Sequence, residues 1–169
     1  MPLGNTLTND VMSSLVVPFG KTAADHSGNF ATAINNYVQP ATYNQDSVVY
    51  VSSVPSTSFI LPVPNTNLAA ATQVANAIEA YWNGTPSPGA PSQGGVVVTS
   101  VSIDASMVAS TLIPLLTSIY ADVGFLNTLS SKSQDISTAV ATAIGTVTAT
   151  HTEQDSQGST LGPFTMSIV

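Results

Sequence analysis

A chain of 169 residues with no arginine, two lysines and nine acids has little with which to grip phosphate, carboxylate or nucleic acid. Cysteine is absent, which excludes disulfide scaffolds, thiolate nucleophiles and cysteine metal sites. Charged residues make up 7%, against ~25% in an ordinary soluble domain, while hydrophobic residues reach 43%. One domain spanning 1–169 is therefore expected, with its surface made polar by Ser, Thr, Asn and Gln.

Residues 1–20 do not read as a signal peptide. Asp10 lies early, and no basic residue precedes the short apolar run Leu15-Val16-Val17-Pro18-Phe19. No apolar run approaches the roughly 18 residues of a membrane-spanning helix. The stretch Val11–Phe19 reads as an apolar helix with Pro18 in it, followed by a helix over Asn29–Val38. Ser47–Val54 is β-branched and strand-like, and Phe59-Ile60-Leu61 is a short apolar run ended by Pro62 and Pro64.

A clearer helix covers Ala69–Trp82. Ala71, Val74, Ala75, Ile78, Tyr81 and Trp82 share one face at a period of about 3.6, with Asn67 as N-cap and Asn83-Gly84 as the stop. Glu79 has Ala75 and Asn83 at i±4, no charge partner, and reads as the wet face. Gly84–Gly95 carries Pro86, Pro88, Gly89, Pro91 and Gly94, a surface excursion or contact loop.

Gly95–Ile103 is the strongest strand, and simple alternation puts Val97, Thr99, Val101 and Ile103 on one face. Asp104 then caps an apolar helix over Ser110–Tyr120 that contains Pro114. In the next helix Ile136, Val140 and Ile144 repeat at i, i+4, i+8, with Asp135 or a serine just before it as cap. Thr146–His151 and Phe164–Val169 each read as edge strands, with a polar excursion over Glu153–Gly162 between them. The order of apolar helix, polar connection and alanine-rich helix occurs twice, over about 7–40 and 108–150, a weak internal duplication or two convergent helical hairpins. The expected architecture is α+β: alanine-rich helices packed on a small, mainly antiparallel sheet, with extended loops or arms.

No catalytic constellation emerges. Histidine occurs only at 26 and 151, there is no G-x-S-x-G elbow, and the adjacent Asp25-His26-Ser27 cannot converge on one hydrogen-bonded line. His151, Glu153 and Asp155 alternate. On a strand they face one way as candidate metal ligands; otherwise they form a solvated polar edge, which is the reading preferred here. No phosphate-cradling glycine motif or basic amphipathic helix occurs, so no cofactor, metal, small-molecule substrate, nucleic acid or membrane is expected as a partner. Tyr81-Trp82 is the most aromatic point. It serves either as an interface hot spot or to close a helix end on the core, and Tyr81, Trp82, Pro86, Pro88 and Pro91 form the candidate interface.

The run Ala75-Asn76-Ala77-Ile78-Glu79-Ala80-Tyr81-Trp82 is followed by the proline-glycine loop and the valine-rich strand. Leu112–Tyr120 and Ala139–Thr150 come next, in that order. Over roughly 68–152 this pattern resembles small structural proteins of tailed bacteriophages. The resemblance implies a non-enzymatic virion component of tail, neck or capsid surface, whose partners are copies of itself and other virion proteins. Two other classes compete with it. One is a secreted or cell-surface adhesion module using the 84–95 loop. The other is a metalloenzyme built on His151, Glu153 and Asp155.

Overall fold

The computed structural model describes residues 6–15, 23–38, 42–43, 48–49, 66–82, 96–122 and 128–167. Among them lie the helices α1 (Leu7–Leu15), α2 (Ala23–Val38), α3 (Asn67–Tyr81), α4 (Met107–Ala121) and α5 (Leu129–Ile144). The strands are β1 (Thr42–Tyr43), β2 (Val48–Val49), β3 (Val97–Asp104), β4 (Thr148–Gln154) and β5 (Thr160–Ser167). The expected α+β class is found: helices accompany a three-stranded antiparallel sheet of order β3-β4-β5, and β1 and β2 form a separate antiparallel pair.

The helices pack in the spatial order α3–α4–α5–α1–α2. Their buried faces are rich in small residues: Ala31 and Ala33 on α2, Ala71, Ala75 and Ala77 on α3, Ala139 and Ala143 on α5. Small side chains let helix axes approach closely. Larger ones fill the gaps between them: Val11, Ile34, Ile78, Val108, Leu112, Leu116, Val140 and Ile144 are all fully buried. Each such aliphatic side chain contributes about 1.5–3 kcal/mol by leaving water.

Three capping positions differ from the sequence expectation, the N-cap of α4 being Ser106 rather than Asp104. Helix α3 is capped by Thr66, whose hydroxyl accepts from the Ala69 N–H at 3.1 Å, and Asn67 is already helical. Helix α5 starts earlier than Asp135. Thr128 is its cap, accepting from the Ser131 N–H at 3.1 Å, so Asp135 lies mid-helix. Helix α5 also buries Ser133 and Ser137. Their hydroxyls donate back to the carbonyls of Leu129 (2.7 Å) and Ser133 (2.6 Å), so burial leaves no donor stranded. Thr138 and Thr142 donate to their own i−4 carbonyls in the same way.

Strand β3 departs from simple alternation. Val98 pairs with Glu153 and Ser100 with Thr152, so Thr99 is an extra residue on β3. The bulge shifts the face: Val98, Val101 and Ile103 point inward, and Val97 is left 61% exposed. Strand β4 is the centre of the sheet rather than an edge, because β5 pairs on its other side. The expected excursion over Glu153–Gly162 contracts to a tight turn. Asp155 Oδ1 accepts from the Gln157 and Ser159 N–H groups, both at 2.8 Å, and Gly158 takes the left-handed conformation (φ +84). On β5 the register shifts again opposite Thr152, at Gly162 (φ +99) and the cis Gly162–Pro163 bond; a Cβ on Gly162 would meet the Phe164 ring at 3.0 Å.

Candidate functional site

Chemistry needs ionisable groups that converge on open space. On β4, Ala149, His151 and Glu153 face inward, while Thr148, Thr150 and Thr152 face the other way. His151 Nε2 and Glu153 Oε1 lie 2.9 Å apart with both side chains buried, and Phe164 of β5 covers the imidazole at a ring separation of 5.2 Å. Residues two apart on a strand share a face, so the His151 and Glu153 side chains stand side by side and meet. The expectation of a solvated polar edge is thus corrected: the alternation of β4 carries these groups into the interior. Asp155 does not join them. It stands past the strand and closes the turn. Among the described residues no group of three or more metal-ligating side chains gathers.

Glu79, Asp104 and Lys132 hold helix α4. Its first turn lacks a side-chain bond from the N-cap Ser106. Instead Glu79, near the end of α3, accepts from the Ala109 N–H at 2.9 Å through Oε2. Glu79 therefore serves as a cap across the helix pair, not as the wet face expected from its own helix. At the other end Lys132, in the first turn of α5, donates through Nζ to the carbonyls of Ile119 (2.7 Å) and Asp122 (2.6 Å), with Asp122 Oδ2 at 3.3 Å. An anion at the N-terminus and a cation at the C-terminus both complement the helix dipole. The two bonds also fix the packing, since the end of α3 meets the start of α4 and the end of α4 meets the start of α5. Asp104 closes the entry to α4: its Oδ1 accepts from the Ser106 hydroxyl (2.7 Å) and N–H (3.0 Å), and these bonds hold its carboxyl below the usual carboxylate range.

Of the candidate interface residues, Trp82 is 1% exposed and belongs to the core cluster. Of its two possible roles it takes the second, closing the end of α3 on the core, and it presents no surface to a partner. Tyr81 ends α3. Pro86, Pro88 and Pro91 fall outside the described residues, as do Pro18, Phe59-Ile60-Leu61 and the closing Ile168-Val169. Tyr120 is largely buried, and desolvation pushes its phenol up to about 12; burial raises Tyr37 as well.

Among the described residues two shallow grooves lie on the helical side. One of about 250 Å³ is lined by Asp10, Ser13, Asn29 and Asn36, and one of about 270 Å³ by Tyr37, Gln134, Thr138 and Thr142. In the first, Asp10 Oδ2 accepts from Thr6 Oγ1 at 2.8 Å and from Asn36 Nδ2 at 3.5 Å, a link between α1 and α2. Neither groove brings two carboxylates, or a carboxylate and a base, together.

The outer face of the sheet is covered with hydroxyls. Ser100 Oγ lies 2.6 Å and Thr99 Oγ1 2.9 Å from Thr152 Oγ1, and Thr150 Oγ1 lies 2.7 Å from Thr165 Oγ1. These groups satisfy one another across the strands. No family model, curated protein or solved structure matches the chain. Among the described residues no helix is long and apolar enough to cross a membrane.

Proposed function

We propose that this chain is a structural subunit that works through repeated contacts with copies of itself and with companion proteins, as a virion component of tail, neck or capsid surface. The observation that carries the reading is the surface. Leu68 (57%), Met107 (57%), Val97 (61%) and Leu129 (44%) stand exposed on a molecule with very few charges. Such a surface has weak self-repulsion and gains by being covered. Glu79, Asp104, Lys132, Asp155, His151 and Glu153 are engaged in holding helix ends, a turn and the inner side of the sheet, which fits a body built for contact. Placement in a virion follows from the sequence resemblance over 68–152. The test is mass as a function of concentration by sedimentation, together with the copy number in purified particles. Concentration-dependent assembly and a fixed stoichiometry in particles are expected. A monomer at every concentration that is absent from particles refutes the reading.

A further inference from the structure

Whatever the chain assembles with, we infer that the C-terminal end of α4 is a binding site for a small primary ammonium ion, which the folded chain fills with its own Lys132.

The final carbonyls of a helix run out of intrahelical N–H partners. Ile119, in the last turn of α4, and its C-cap Asp122 stand at that end. The carbonyl oxygens of Ile119 and Asp122 and the Asp122 Oδ2 converge on one point, and Lys132 Nζ occupies it at 2.7, 2.6 and 3.3 Å. A primary ammonium carries three N–H donors and no acceptor, so three oxygens match three donors. All three ligands belong to α4 and its cap, and two of them are backbone atoms. The cation alone arrives from α5. A ligand set built by one element and a cation carried in by another make a site with a tethered occupant.

The group already seated there selects the class of ligand. One carboxylate and the negative end of a helix dipole balance a single positive charge. Calcium takes about six to eight oxygens, more than these three. Among the described residues no cluster of three or more metal-ligating side chains supplies the rest. A quaternary ammonium has the charge but no N–H for the oxygens to accept. The Lys132 side chain is 21% exposed and that of Asp122 53%, so a solute can reach the cradle. Substitutes within the chain are scarce, since it has no arginine and one other lysine, Lys21.

Lys132→Ala vacates the ammonium position and leaves the three oxygens in place. This variant is expected to melt below wild type. Methylammonium chloride at about 0.1 M should restore roughly half of the lost melting temperature or more, while tetramethylammonium chloride, equal in charge and screening but without an N–H, restores little. Lys132→Met keeps an unbranched stem that fills the way to the cradle, and should gain no more from the first salt than from the second. A further arm needs no variant. An amine-acylating reagent must free Nζ from its bonds before it reacts, so Lys132 in the wild-type chain should acylate roughly tenfold or more slowly when native than when unfolded in urea, read by mass spectrometry. Equal recovery of Lys132→Ala in the two salts, a selective methylammonium gain in Lys132→Met, or equal acylation of native and unfolded Lys132 overturns the site.

Discussion

Replacing Glu79 by alanine removes the only side-chain cap that the first turn of α4 receives in the described structure. The Ala109 N–H, part-buried and bonded at 2.9 Å, then loses a carboxylate acceptor. A hydrogen bond to a charged group contributes about 1.5–3 kcal/mol, and the favourable dipole term is part of that sum rather than an addition to it. Water can reach a part-buried amide and recovers some of the loss, so Glu79→Ala is expected to destabilise by about 2 kcal/mol. Glu79→Gln keeps an acceptor and loses the charge, for about 0.5–1 kcal/mol. For a chain of this size 1 kcal/mol moves the melting temperature by about 2–4 °C, so the alanine variant should melt about 4–8 °C lower. Urea titration followed by far-ultraviolet circular dichroism measures the difference at equilibrium. A cost below ~0.5 kcal/mol for Glu79→Ala, or a glutamine variant that loses as much as the alanine one, refutes the capping role of Glu79.

Further outcomes follow from the buried groups. The single tryptophan, Trp82, is expected to emit at a blue-shifted wavelength and to resist acrylamide quenching, while Trp82→Ala should cost about 3–5 kcal/mol in the same urea titration; emission typical of water would contradict the buried placement. Removing one member of the inner pair, as in Glu153→Ala, takes a hydrogen-bond partner from the buried imidazole and should cost about 1–3 kcal/mol, whereas the double variant His151→Phe with Glu153→Leu should fall within ~1 kcal/mol of wild type. A double variant worse than either single would show that the pair is a net source of stability. Tyr120 is held neutral by burial, with its ionisation pushed up to about 12. Because the folded value lies above the unfolded one of ~10, the stability from this group is complete below pH ~10 and is lost as pH rises toward 12. Tyr120→Phe should flatten that alkaline decline in thermal melts, and an unchanged slope would show that another group causes it.

How far the sequence could be read depends on whether the relevant partner was near in the chain. Helices α3 and α5 were visible through Ala71, Val74, Ala75 and Ile78 and through Ile136, Val140 and Ile144, because helical periodicity is local and these positions are buried. Their starts were misplaced, since Thr66 and Thr128 compete with several other Ser, Thr and Asn residues for the same capping role. The face of β3 was misread because a bulge is a relation between two strands, and nothing within Val97–Asp104 announces the extra Thr99. Thr146–His151 reads as an edge strand and His151, Glu153 and Asp155 as a solvated polar edge, yet a polar pair that satisfies itself can stand at the centre of a sheet. Glu79 was hidden for a similar reason. Its partner is a backbone N–H thirty residues on, beyond any comparison of i±4 neighbours. Trp82 illustrates the limit of residue type alone, since an aromatic residue suits a core and an interface equally well.

The back-bonded hydroxyls of α5 also bear on how this molecule meets water. Thr138 and Thr142 sit on the solvent side, yet each directs its single O–H proton to a carbonyl one turn earlier. With those protons used inside the helix, the two hydroxyls offer solvent acceptor sites rather than donors, and Thr138 Oγ1 already accepts from Gln134 Nε2 at 3.4 Å. Hydrophilicity summed over residue types therefore overstates the hydration of this helix. Salting-out agents such as sulfate should drive the chain out of solution at lower concentration than its threonine and serine content suggests.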